Sequence, residues 1–228
     1  MTNSLSDMPH PTLTLIVAAT AQNMGIGLRG TLPWTGLKKE MAYFARVTKR
    51  PPTQPTPSSG LVADDKKTNY INAVVMGRKT WESIPTKFRP LRERVNVVVS
   101  RTPEKIQQGE GHGTGVFGVG SIQEGLQVLQ KEYNGQGPSG QCLGRVFVIG
   151  GAEIYKAALQ MEETRRVLLT RIKTEFACDT FFPVDLDRDE GWVKRGKKEL
   201  DEFVGEVVAE GVQVENRVEY EFQMFERG

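Results

Sequence analysis

Cysteine and histidine are scarce in this chain: two of each in 228 residues. Cys142 and Cys178 stand 36 positions apart, with no CxxC pair and no histidine close by. A zinc site needs several thiolate or imidazole ligands at short spacing, and a thiol catalyst needs a basic neighbour, so neither is indicated. Two reduced, partly buried thiols are the plainer reading. His10 and His112 lie in polar, Gly/Pro-rich surroundings without acids at matching spacing, which argues against Ser-His-Asp and HExxH hydrolases. An excess of either charge is missing too: 30 Lys and Arg face 28 Asp and Glu, a net +2. Arg165-Arg166 and Lys197-Lys198 are isolated pairs rather than a stripe, so they read as solvated surface and not as a nucleic-acid footprint. Long hydrophobic runs are absent. Residues 13–20 are too few to span a bilayer and follow no basic segment. The expectation is a cytoplasmic protein without a membrane segment.

With 38% hydrophobic and 25% charged residues, the composition is that of an ordinary globular protein. Residues 12–20 are short, β-branched and apolar throughout, as in a central strand covered on both faces. Leu37, Met41, Phe44 and Ala45 recur at helical spacing after Pro33. Residues 50–68 carry four prolines and few apolar side chains, which predicts a surface loop. Further strands are predicted at 72–76, 94–100, near 116–117, 145–149, 167–172 and 181–182. Helical segments are predicted at 79–84, 152–160 and from the capping box Ser121-Ile-Gln-Glu124 to about Tyr133. The stretch 192–225 reads as polar-alternating strands joined by turns, with a closing hairpin. The order predicts one α/β domain over 1–228: a mostly parallel twisted sheet with an antiparallel C-terminal strand, helices on both faces and a flexible N-terminus, 1–11.

Glycine needs care here. Gly25-Ile-Gly27-Leu-Arg-Gly30 and Gly113-Thr-Gly115-Val-Phe-Gly118 both match GxGxxG. A Rossmann site also needs a helix opening at the fingerprint and an acid about 20 residues on. Leu32-Pro33 follows the first match, and the second floats in a glycine-rich loop. Gly77-Arg78-Lys79-Thr80 resembles the end of a P-loop, but Asn72 stands where the first glycine belongs. A weaker pattern survives. Gly77–Thr80, Ser100-Arg101-Thr102 and Gly150-Gly151-Ala152-Glu153 each lie just past a strand, where open α/β sheets bind ligands. Together they suggest a ligand with several phosphates met by backbone N–H groups and cations.

Glu40 poses the sharpest question, because a lone acid beside Leu, Trp and Met is costly to bury without a partner. Its surroundings carry a family resemblance. The stretches Val17–Gly27, Leu32-Pro33-Trp34, Glu40-Met-Ala-Tyr-Phe44, Val75–Pro85, Arg89-Pro90-Leu91, Arg94, Ser100-Arg101, Ile149–Tyr155, Thr170-Arg171 and Asp179–Pro183 resemble, in order, the dihydrofolate reductases. The loop at 50–68 and Trp-Glu-Ser-Ile-Pro resemble the eukaryotic branch, with fungal members the nearer expectation. The resemblance implies reduction of 7,8-dihydrofolate to tetrahydrofolate by NADPH, in support of one-carbon metabolism. Hydride would pass from nicotinamide C4 to pterin C6.

It also implies site residues. Glu40 would accept from the pterin's amino-pyrimidine edge and support protonation of N5 through a water, with Trp34 and Thr31 as candidates to hold that water and Thr170 bonded to the acid. Ala18, Leu32, Met41, Phe44, Ile84, Leu91 and Ile149 would line the substrate slot, with Phe44 stacked on the benzoyl ring. Arg94 would pair with the substrate's α-carboxylate. Ala19, Gly25, Ile26, Gly30 and Thr31 would lie near the nicotinamide. Gly77, Arg78, Lys79, Thr80 and Gly150, Gly151, Ala152, Glu153, Ile154, Tyr155 would hold the pyrophosphate region; Ser100, Arg101, Thr102 and Arg78 would hold the 2′-phosphate. The Gly150–Gly151 peptide is cis in relatives. No metal is implied; a monomer that binds antifolates is. Gly120 departs from an arginine usual near the 2′-phosphate, Met41 from an aromatic, Phe88 from a polar residue. The rival readings are a reductase of the same fold acting on a ribosylated aminopyrimidine, which would need neither Glu40 nor Arg94, and a nucleotide-binding regulator without turnover.

Overall fold

The computed structural model describes residues 11–52, 69–108, 115–135 and 140–228. Most of the predicted N-terminal segment (1–10) and of the predicted surface loop (53–68), as well as His10, His112 and the start of the second GxGxxG match, lies outside the described residues.

Among the described residues, six parallel strands make the centre. They are β1 (Leu13–Thr20), β3 (Tyr70–Gly77), β4 (Arg94–Val99), β5 (Val116–Val119), β6 (Cys142–Val148) and β7 (Thr164–Ile172), in the spatial order β5-β4-β3-β6-β1-β7. Beyond β7 lies β11 (Val218–Arg227), antiparallel to it, and β11 pairs in turn with β10 (Gln213–Glu215) and β9 (Trp192–Lys194). A separate two-stranded ribbon joins β2 (Gly25–Gly27) to β8 (Thr180–Phe181).

Both faces of the sheet are apolar because alternate side chains of each strand point opposite ways. Leu13, Leu15, Val17, Ala73 and Val75 pack with Leu126 and Leu129 of α4 (Ile122–Glu132) and Tyr155 of α5 (Ala152–Leu159). Ile16, Val74, Met76 and Phe147 pack on the other face with Tyr43 and Val47 of α1 (Lys38–Lys49), Trp81 of α2 (Arg78–Ser83), and Leu200 and Val204 of α6 (Lys197–Val204). Helices on both faces are therefore observed.

The last third departs from expectation. Antiparallel strands and a closing hairpin stand in the stretch read as strands, but α6 interrupts them. Leu200, Phe203 and Val204 have the i, i+3, i+4 spacing of a helix face, and Gly205 closes it in the left-handed conformation at φ 74°. The ribbon strand β2 and the helix α3 (Pro103–Gln108) are likewise additions to the predicted elements. Ser121 caps α4 as expected, accepting from Glu124 N–H at 3.1 Å, while the Glu124 carboxylate accepts from Gly120 N–H at 2.7 Å.

The strand order reverses around β1, β6 and β3, and the loops at their C-terminal ends form the crevice where such sheets take ligands.

Candidate active site

Glu40 occupies the first turn of α1, one of its buried positions at 7% exposure, and accepts a hydrogen bond from Thr170 Oγ1 of β7 at 3.2 Å. Burial pushes its carboxyl up to about 7; the Thr170 hydrogen bond opposes this and the charge of Glu215 adds to it. Trp34 is buried nearby in a small cluster with Leu37 and Ala18, and its Nε1 has no hydrogen-bond partner among the described residues. Thr31 is exposed, its hydroxyl donated to the carbonyl of Leu28 at 3.2 Å.

Phe44, Ile84, Leu91 and Ile149 are half-buried and pack against the same core as Tyr43 and Trp81, while Leu32, Met41 and Phe88 are exposed. At their end stands Arg94, 7% exposed, with no acid bonded to its guanidinium among the described residues. Nη1 donates to Thr48 Oγ1 at 2.7 Å and Nε to the Arg92 carbonyl at 3.0 Å. Burial draws this guanidinium down to about 10, only partly offset by Glu93. Glu93 itself is bonded to Lys49. A buried cation so placed fits a carboxylate brought by a ligand. Thr48 was absent from the sequence reading, although it lies one helical turn beyond Phe44.

The other end of the crevice is cationic. A cavity of about 710 Å³ lies among Arg78, Arg89, Ser100, Arg101, Thr102 and Lys105, with Trp81, Glu82 and Ile106 completing its wall. It sits at the strand ends away from Glu40. Arg78 is bonded to Glu82 at 2.7 Å; Arg101 and Lys105 form no ion pair among the described residues. Neither Arg89, quoted only within the Arg89-Pro90-Leu91 match, nor Lys105 was assigned to the site from sequence. Lys105 sits on α3, which was not predicted, so its face went uncounted. Between the two ends, Gly150–Gly151 is a cis peptide, the conformation the family resemblance implied. A Cβ on Gly77 would stand 3.0 Å from Ile154 Cγ1, and one on Gly151 would stand 3.4 Å from Thr80 Oγ1, so side chains would crowd this cradle. Neither α2 nor α5 has a side-chain cap. Helix starts without a side-chain cap, and the cations Arg101 and Lys105 at these strand ends, fit a phosphate-bearing nucleotide cofactor.

Two residues of the expected cofactor set face inward. Ala19 has no exposed surface, and Tyr155 is buried with its hydroxyl donated to the Ile16 carbonyl at 2.7 Å, so its side chain braces α5 on β1. Ile26 is partly buried against the core. Gly30 adopts φ 79° in the turn after β2, and Gly25 N–H is held by Thr20 Oγ1 at 2.8 Å. Lys79, Glu153 and Arg101 are exposed. Among the described residues no helix is long and apolar enough to cross a membrane, and no group of three or more His, Cys, Asp or Glu is placed to hold a metal ion.

An acid in an apolar slot at one end and a phosphate-suited face at the other define a nucleotide-dependent α/β enzyme. Comparison with known proteins narrows this. The family model "Dihydrofolate reductase" matches residues 63–227. The dihydrofolate reductase of Pneumocystis carinii is 41% identical over 219 residues, covering 94% of this chain and 96% of that protein. That of Schizosaccharomyces pombe is 36% identical over 225 residues, but the chain spans only 47% of its length. The structure of Schistosoma mansoni dihydrofolate reductase aligns with TM-score 0.69 at 32% identity, covering 96% of this chain and all of that one. The chain belongs to the dihydrofolate reductase family. It is an oxidoreductase that reduces dihydrofolate with a nicotinamide cofactor.

Proposed function

We propose that Glu40 binds the amino-pyrimidine edge of dihydrofolate and supports protonation of N5, in a reaction driven by NADPH. The observation that carries this reading is the burial of Glu40 with Thr170 as its bonded side-chain partner. Its carboxyl, near 7, is divided between charged and neutral forms at physiological pH. As the anion it accepts two parallel hydrogen bonds from the pterin edge. As the acid it is a proton source for N5, and the unpartnered Trp34 Nε1 supports the assignment of Trp34 to the relaying water. Phe44 and the apolar rim position the benzoyl ring, and Arg94 holds the substrate's carboxylate. When bound, the cofactor supplies the hydride that reaches C6. Arg101 and Lys105, with Ser100 and Thr102, favour the phosphate that distinguishes NADPH from NADH. The reading extends to a cytoplasmic monomer open to antifolates that present the same donor edge.

The test is cofactor oxidation, followed by absorbance, with dihydrofolate as substrate. Wild type is expected to turn over faster with NADPH than with NADH at equal concentration. Glu40→Gln is expected to lose about 100-fold or more at neutral pH. Undiminished turnover by the variant would refute the role of Glu40, and equal use of both cofactors would refute the phosphate assignment.

A further inference from the structure

Helix α1 presents Glu40 yet brings no cap of its own, because Leu37 at its entry has no hydrogen-bonding side chain. Two amides of the first turn are met from the far end of the chain. Lys38 N–H donates to Glu215 Oε1 at 2.9 Å, and Lys39 N–H donates to both oxygens of that carboxylate, at 3.2 and 3.0 Å. The Tyr220 hydroxyl donates to Glu215 Oε2 at 3.4 Å. The next residue, Asn216, donates from Nδ2 to the Gly36 carbonyl at 2.6 Å. The end of β10 and the turn that follows it thus grip the entry to α1 on both sides of Leu37.

Electrostatics gives this contact a consequence. A helix N-terminus carries partial positive charge, which favours the anionic form of an acid in its first turn. A carboxylate bonded to that terminus offsets the effect and leaves Glu40 free to hold a proton near neutral pH. Around Glu40 stand the Thr170 hydroxyl on β7 and the phenols of Tyr43 on α1, Tyr155 on α5 and Tyr220 on β11; Lys38 and Lys39 flank it, exposed, on its own turn. Glu215 is the neighbouring acid whose charge acts on it. We propose that Glu215 is a positioning residue for the reduction, capping the helix that presents Glu40 and keeping a second negative charge beside the Glu40 carboxyl. The inference rests on Glu40 as the acid of the reaction.

The test compares full-length wild type, Glu215→Gln and Asn216→Gly. The Glu40 carboxyl is titrated by carbon NMR on protein labelled at glutamate, with Glu40→Gln to assign the signal, and the pH dependence of turnover is measured on the same samples. Gln still accepts from the helix amides but carries no charge. Glu215→Gln is expected to lower the Glu40 titration by about half a pH unit, and the loss of rate on the alkaline side should begin correspondingly earlier. Asn216→Gly removes the Gly36 contact in a turn glycine tolerates, and should leave the titration in place. An unmoved titration in Glu215→Gln, or an equal movement in Asn216→Gly, would overturn the proposal. A lowered titration with an unmoved rate profile would uphold the coupling and overturn the role of Glu40 instead.

Discussion

Thr170 and Glu40 illustrate how one contact sets a chemical property. The hydroxyl donates to the carboxylate and so favours the charged form, against the burial that disfavours it. Thr170→Val keeps the shape and removes the donor. Glu40 is then expected to hold its proton to higher pH, by about one pH unit, given what a hydrogen bond to a charged group contributes. Proton delivery needs the protonated acid, so the rate falls as pH rises through this pKa, and the fall in Thr170→Val should come later. The Michaelis constant for dihydrofolate should rise about twofold at pH 8, because about half of the acid, rather than about nine-tenths, is then the anion that meets the pterin edge. A pH–rate series on both proteins checks this, and an earlier fall would contradict it. Arg94 follows the same logic with opposite charge: Thr48 and the Arg92 carbonyl hold the guanidinium in place without neutralising it.

At the scale of elements, the hairpin that grips α1 turns on Asn216 and Arg217, with φ of 49° and 64°. Two successive left-handed residues are what a tight two-residue hairpin requires. Asn tolerates that conformation, whereas the exposed Arg217 is strained in it. Arg217→Gly is expected to stabilise the protein by about 0.5–1 kcal/mol, raising the melting temperature by a few degrees, measurable by calorimetry. The parallel strands were legible because each is a short apolar run serving two cores, and helix α1 was legible from a period near 3.6, but not its buried face: Met41 of the apolar stripe is exposed, and Tyr43 and Val47 are what α1 buries beside Glu40. Helix α6 was not legible: its apolar side chains, Leu200, Phe203 and Val204, span about one turn among charges, and the core beneath them decides the conformation. Glu215 was invisible for a related reason. A cap delivered from β10 leaves no local pattern around α1, and no periodicity connects residues 177 positions apart.

For the molecule as a whole, the site is a cost to the ligand-free fold. Glu40 titrates near 7 in the folded protein against an ordinary value of 4.5. Between those two pH values the folded state retains a proton that the unfolded chain releases, so this group's contribution to stability falls as pH rises through the window. The loss amounts to about 3 kcal/mol once pH exceeds 7. Glu40→Gln removes the ionisation while its amide oxygen still accepts from Thr170. Ligand-free wild type and variant should therefore melt close together at pH 4.5 and separate steadily towards pH 8, with the variant the more stable by several degrees. Every other titrating group is common to the two proteins, so the widening gap isolates Glu40. Saturating folate analogue should close it from the wild-type side, since the donors of a bound pterin edge return to the carboxylate the partners that burial denies it. A gap that stays constant with pH would mean that Glu40 is solvated and ordinary in the free enzyme. The slot would then hold no charge waiting for the pterin.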